Sequence, residues 1–248
     1  MPIEEFNDRP VIVLGAASGI GRATALAFAR RGAKVAALDV NAGPLEALPD
    51  ELRTAGATDA RAGTVDVRDG ASVGAALQRA VDAFGGLDHL VFTSGILRVG
   101  PLLEMAEADF DDVFAVNTRG FWIAARAALP HLQAGPDRRR TVTALSSAAA
   151  LRPKASSGAY AASKAALSHL VRVLAVELAA SGINVNAIAP ATVDTPMTQP
   201  YMGETNANHG YRLSGTSPMG RIARPEDVAD ACLFLASQAA AYITGVTL

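Results

Sequence analysis

The stretch "PVIVLGAASGIGRATALAFARRGAKVAALDV", residues 10–40, decides the fold. Residues 10–15 form a short apolar run that ends in glycine, as a strand buried on both faces does. Residues 19–32 carry apolar side chains at helical spacing and stop at Gly32. Residues 34–40 read as a second buried strand. A strand, a glycine-rich turn, a helix and another strand make a βαβ unit, whose two strands lie parallel in one sheet.

The same alternation continues outward. Strands are predicted at 61–67, 87–95, 140–147 and 183–190, with a seventh beginning at 243–248. Helices are predicted at 70–85, 105–133, 158–182 and 224–237, and one at 43–56 that Pro49 threatens to break. The expectation is a single α/β domain over residues 1–248, doubly wound and Rossmann-type, with a seven-stranded parallel sheet flanked by helices on both faces. Residues 191–223 have no regular pattern, and a loop of that length marks a candidate substrate lid.

Composition narrows the function. Half of the 248 residues are hydrophobic and 19% are charged, which suits a large packed core. A formal net charge of -2 offers no electrostatic footprint for nucleic acid or an anionic membrane. The run "DRRR" (137–140) reads as a solvated loop, and the single Cys232 as a small buried hydrophobe. Four scattered histidines give no metal-ligand spacing. With no apolar signal core and no span-length apolar run, the expected location is cytoplasmic.

Two motifs carry chemistry. "GAASGIG" (15–21) sits at the first strand-to-helix turn, where glycines let a pyrophosphate approach the backbone and the helix N-terminus favours its charge. Gly15, Ser18, Gly19, Ile20 and Gly21 are the expected cofactor contacts there. Asp39 ends the second strand about 20 residues later, where a carboxylate can bond a ribose diol and repel a 2′-phosphate. The cofactor is therefore read as NAD. Asp66 and Val67, ending the third strand, flank the adenine in this reading, although Asp66 equally suits a turn. The second motif is Tyr160 and Lys164 in "GAYAASKAAL", which share one helix face as a phenol beside an ammonium.

In this order and context, the chain resembles the short-chain dehydrogenase/reductase family over nearly its whole length. Tyr160 and Lys164 match its YxxxK motif, Ser147 stands thirteen residues before the tyrosine, and Asn117 falls in the helix after strand four. Pro190, Val193 and Thr195 match the segment after strand six, and Thr93 and Gly95 the loop after strand four. Three positions depart from the family. Leu14 stands where it usually has Thr, Phe92-Thr93-Ser94-Gly95 replaces Asn-Asn-Ala-Gly, and Pro190-Ala191 replaces Pro-Gly. The first two are expected to weaken side-chain bonds that brace the cofactor floor, although Thr93 and Ser94 still supply backbone groups and hydroxyls there.

The resemblance implies hydride transfer between a nicotinamide and a secondary alcohol or ketone. Tyr160 exchanges the proton, Ser147 holds the substrate oxygen, Lys164 holds the nicotinamide ribose and favours the phenolate, and Asn117 positions a relay water. It also implies a homotetramer or homodimer. The competing class is a catalytically idle dinucleotide sensor, for which a proton-relay tyrosine has no use. Arg98, after strand four, and Lys154, before the catalytic helix, are expected near the substrate mouth, where an arginine fork suits a carboxylate. This local pattern is similar to 2,3-dihydro-2,3-dihydroxybenzoate dehydrogenases. The expected substrate is a hydroxylated ring bearing a carboxylate, with a neutral cyclic alcohol or ketone as the alternative.

Overall fold

The computed structural model describes residues 3–133, 138–152, 154–202 and 217–248. Six strands run parallel: β1 (Pro10–Leu14), β2 (Lys34–Asp39), β3 (Asp59–Thr64), β4 (His89–Phe92), β5 (Arg140–Leu145) and β6 (Ile183–Ile188). Their order across the sheet is β3-β2-β1-β4-β5-β6, so the chain reverses direction beside β1. In a doubly wound sheet the cleft for a ligand opens there, beyond the carboxyl ends of the strands.

Strand composition explains the layers. On β1, Val11 and Val13 face one side while Ile12 and Leu14 face the other, all of them buried. The first side packs against α1 (Gly19–Ala29), α3 (Leu48–Ala55) and α8 (Pro225–Ala236). The second packs against α4 (Gly70–Phe84), α6 (Gly120–Gln133) and α7 (Gly158–Leu178). Cys232 on α8 is fully buried, with the Thr24 hydroxyl of α1 3.9 Å from its Sγ. At the other end of the sheet His89 lies between Phe6 and Phe28, with ring centroids 5.6 and 6.1 Å away.

Three expectations are corrected, and the break foreseen at Pro49 is present. The sheet has six strands, not seven: Gly245 adopts φ 75°, and the residues after it pair with the end of β6 only around Ala187 and Thr247, where Ala187 N donates to Val246 O at 2.9 Å and Leu248 N to Ala187 O at 3.0 Å. The predicted helix is broken at Pro49, into α2 (Ala42–Leu45) and α3, and the proline takes a place in the first turn of α3, where its missing N–H has no helical partner to lose. The predicted helix 105–133 divides into α5 (Glu107–Phe114), a π-helical turn (Ala115–Arg119) and α6. The basic run is not simply solvated. Arg139 donates to the carbonyls of Leu235, Ala236 and Ala240 at 2.9 Å, capping the C-terminal end of α8, and Arg140 is buried at the start of β5.

Of the predicted lid, residues 203–216 lie outside the described residues. Among the described residues no helix is long and apolar enough to cross a membrane, and no group of side chains could hold a metal ion.

Candidate active site

The glycine loop joins β1 to α1 at the floor of a cleft of about 350 Å³. Its shape depends on missing side chains. A Cβ on Gly21 would stand 1.9 Å from the Gly15 carbonyl oxygen, and Gly15 itself adopts φ 87°. Ser18 makes no side-chain cap bond, which leaves the first N–H groups of α1 for a ligand. Ile20 is half-buried against the core beneath. Across the loop lies the segment after β6. Val193 bridges Ala223, and Thr195 Cγ2 stands 3.2 Å from where a Gly19 Cβ would be.

Thr93 supplies the floor with the hydroxyl expected of it. Its hydroxyl lies 2.7 Å from the Leu14 carbonyl and 3.1 Å from that of Gly15. A hydroxyl just after β4 thus braces the end of β1, and Leu14 needs no side-chain donor.

Asp39 ends β2 in the cleft wall, largely buried. One carboxylate oxygen accepts from Ala17 N at 3.0 Å and the other from Asn41 N at 2.9 Å. Each oxygen retains a lone pair for a diol. Asp66 and Val67 line the cleft one strand further out. The Arg68 guanidinium holds the Asp66 carboxyl below its ordinary range.

Gly95 and Ile96 line the cleft, and behind them the chemistry gathers. A Cβ on Gly95 would meet Lys164 Nζ at 3.2 Å and Asn117 Oδ1 at 3.3 Å. Asn117 sits in the π-helical turn, fully buried. Its Oδ1 accepts from Ile96 N at 2.8 Å, and its Nδ2 donates to Ile96 O and to Ser163 Oγ, both at 3.0 Å. Both amide hydrogens are committed, so the side chain clamps the loop after β4 to α7. Ser163 was not picked out from the sequence, although it directly precedes Lys164.

Ser147 caps a short turn after β5, where its Oγ accepts from Ala149 N at 3.1 Å and is hydrogen-bonded to the Tyr160 phenol. The Pro190 carbonyl accepts from Ala148 N at 2.9 Å and ties this turn to β6. Burial raises the Tyr160 phenol above its ordinary value, and Ser147 opposes that rise. Lys164 is 3% exposed, and burial lowers it to about 8. Its Nζ donates to Leu145 O at 2.7 Å and stands 6.0 Å from the Tyr160 ring centroid. The ammonium is therefore a neighbour of the phenol, not its hydrogen-bond partner.

Arg98 lines the cleft, with its Nε 3.1 Å from Asp109 Oδ1 on α5. Lys154 lies half-buried in the segment before α7, which the Gly100 N to Ser156 O bond of 2.9 Å ties to the Arg98 loop. The cleft includes Arg98 and not Lys154.

A glycine cradle, an open helix N-terminus and an adjacent carboxylate fit a dinucleotide. With a Ser–Tyr–Lys cluster behind Gly95, they define an oxidoreductase of the doubly wound α/β class. A family model described as enoyl-(acyl carrier protein) reductase matches residues 15–248. Cis-4-hydroxycyclohexanecarboxylate dehydrogenase of Sinomonas cyclohexanicum is 39% identical over 99% of this chain and 96% of its own. The 2,5-dichloro-2,5-cyclohexadiene-1,4-diol dehydrogenase of Sphingobium indicum is 35% identical over 96% of this chain and 92% of its own. A 3-ketoacyl-(acyl-carrier-protein) reductase from Brucella melitensis, solved with NADH, superposes with a TM-score of 0.89 at 30% identity, covering 98% of this chain and 96% of that one. The chain belongs to the short-chain dehydrogenase/reductase family, whose members bind a nicotinamide cofactor and act on CH–OH groups.

Proposed function

We propose that this enzyme is an NAD(H)-dependent dehydrogenase of a hydroxylated ring that bears a carboxylate. The observation that carries the reading is one cleft with Asp39 in its wall, Arg98 along its lining and the Ser147–Tyr160–Lys164 cluster behind its Gly95. Asp39 favours a ribose diol over a 2′-phosphate. The glycine loop and the N-terminus of α1 would hold the pyrophosphate, and Lys164 the nicotinamide ribose. The nicotinamide, when bound, supplies or accepts the hydride.

The chain's own residues handle the oxygen and its proton. Ser147 donates a hydrogen bond to the substrate oxygen. Tyr160 takes the hydroxyl proton in the oxidising direction and returns it in the reducing one. With its acidity lowered by burial, the phenol is the proton-bearing form at neutral pH, ready for carbonyl reduction. Lys164, largely protonated below about 8, adds the positive charge that favours the phenolate in the opposite direction. Asn117 acts as a positioning residue through its grip on Ile96 and Ser163.

Two curated relatives point to the substrate class, since the names of both specify a hydroxylated six-membered ring and one a carboxylate. The pairing of Arg98 with Asp109 favours the second reading, a neutral cyclic alcohol or ketone, because that cation is already compensated. An exposed pair of this kind contributes only about 0–1 kcal/mol, so a substrate carboxylate can compete for the fork. The test compares matched cyclic alcohols with and without a carboxylate, using NAD and NADP, in the parent and in Arg98→Ala. We expect NAD to be preferred and the carboxylate to lower KM in the parent only. Preference for NADP overturns the cofactor reading, and a carboxylate advantage that survives Arg98→Ala overturns the role of Arg98.

A further inference from the structure

The cleft is lined, beside Asp66 and Val67, by an arginine that the reaction does not require. Arg68 follows Val67 and lines the cleft with Asp66 and Asp112. Its guanidinium is held from two sides. Nε lies 3.1 Å from both Asp66 oxygens, Nη2 lies 2.8 Å from Asp66 Oδ2, and Nη1 lies 3.2 Å from Asp112 Oδ1 on α5. The backbone is fixed as well. Arg68 N donates to Asp66 Oδ1 at 2.9 Å, and Arg68 O accepts from Arg119 Nη1 at 2.8 Å. A side chain of this length that is 46% exposed is normally free to swing, and this one is pinned at both edges.

Two carboxylates on one guanidinium leave no positive charge to spare, and Asp39 adds another anion to the same wall. An arginine that served a 2′-phosphate would have its fork free to grip it. Here the fork is spent, and what remains is a flat, weakly hydrated face. The ligand chemistry that suits such a face is a neutral aromatic ring. Strand order gives the ring its place: Asp39 of β2 takes the ribose diol, and Arg68 follows β3, the next strand away from the Ser–Tyr–Lys cluster.

We infer that Arg68 is a binding residue for the adenine of the cofactor, its guanidinium held as a stacking platform by Asp66 and Asp112. The inference rests on the dinucleotide reading above and adds a residue to it.

Binding of ADP-ribose, 2′-phospho-ADP-ribose and nicotinamide mononucleotide to the purified enzyme tests it by calorimetry, without turnover. In Arg68→Ala the affinity for ADP-ribose should fall about fivefold, as expected for an exposed cation–π contact. Affinity for the mononucleotide, which has no adenine, should not change. Arg68→Lys should fail to restore ADP-ribose affinity, because lysine keeps the charge and loses the plane. Asp112→Asn keeps the guanidinium but loosens it, and should give an intermediate loss. Three results overturn the proposal: ADP-ribose affinity at the parent level in Arg68→Ala, full rescue by lysine, or a loss confined to the 2′-phosphorylated ligand. A parent that binds neither adenine ligand fails the dinucleotide reading itself, a result distinct from these three.

Discussion

Tyr160 and Lys164 were legible as a pair because a helix places residues four apart on one face. Their electrostatics were not legible, since those depend on what α7 is buried against. Spacing suggests an ammonium that draws the phenol down. The structure instead has burial raising the phenol, and a Lys164 Nζ that spends a hydrogen bond on Leu145 O. Asn117 shows the same limit. Its position within the family pattern is plain, but its bonds to Ile96 and Ser163 need residues 21 and 46 positions away. Tyr160→Phe removes only the hydroxyl, so cofactor affinity should stay near the parent's while turnover falls by about a hundredfold or more. Steady-state kinetics with a nucleotide titration check this, and turnover within a few-fold of the parent would sink the role given to the phenol.

Among the elements, the βαβ unit was the most legible, because a buried parallel strand and a glycine turn both leave local marks. The edges were less so. The seventh strand looked plausible from β-branched residues at 243–248, yet beyond Gly245 only Val246 and Leu248 bond to the β6 backbone, too short a run to make a ladder. The π-helical turn could not be read at all, since its composition is that of any helix. The turn from β1 to α1 yields a sharp expectation. In Gly21→Ala the new methyl group would collide with the Gly15 carbonyl, which is backbone and cannot rotate away. Stability should drop by about 2 kcal/mol or more, and nucleotide binding should be lost with the shape of the loop. Denaturant melts and a nucleotide titration measure the two effects, and a variant equal to the parent in both would mean that the cradle tolerates a side chain.

At the scale of the whole molecule, two properties follow from burial. His89 is enclosed by Phe6, Phe28 and Thr141, and burial holds its pKa well below the ordinary value of 6.5. Because the folded state disfavours its proton, the stabilisation is present above pH 6.5 and is lost as pH falls below it, at about 1.4 kcal/mol per pH unit. Melts at descending pH should show that slope in the parent and a shallower one in His89→Phe. The second property is association. Trp122 on α6 and Val173 and Val176 on α7 are 42%, 40% and 80% exposed, apolar surface that the expected dimer or tetramer would cover. Light scattering at micromolar concentration should give at least a dimer, and Val176→Glu should shift the mass toward that of one chain. A parent that runs as a monomer would refute the assembly.

The seam between α1 and α8 has a practical side. It encloses the one thiol of the chain, and burial pushes that thiol up to about 12. A folded molecule thus offers an alkylating reagent neither access nor a thiolate. Every labelled molecule must first have parted α8 from α1. The rate of labelling at Cys232 therefore clocks how often this half of the protein comes open, with no engineered probe and no other sulfhydryl to confuse the count.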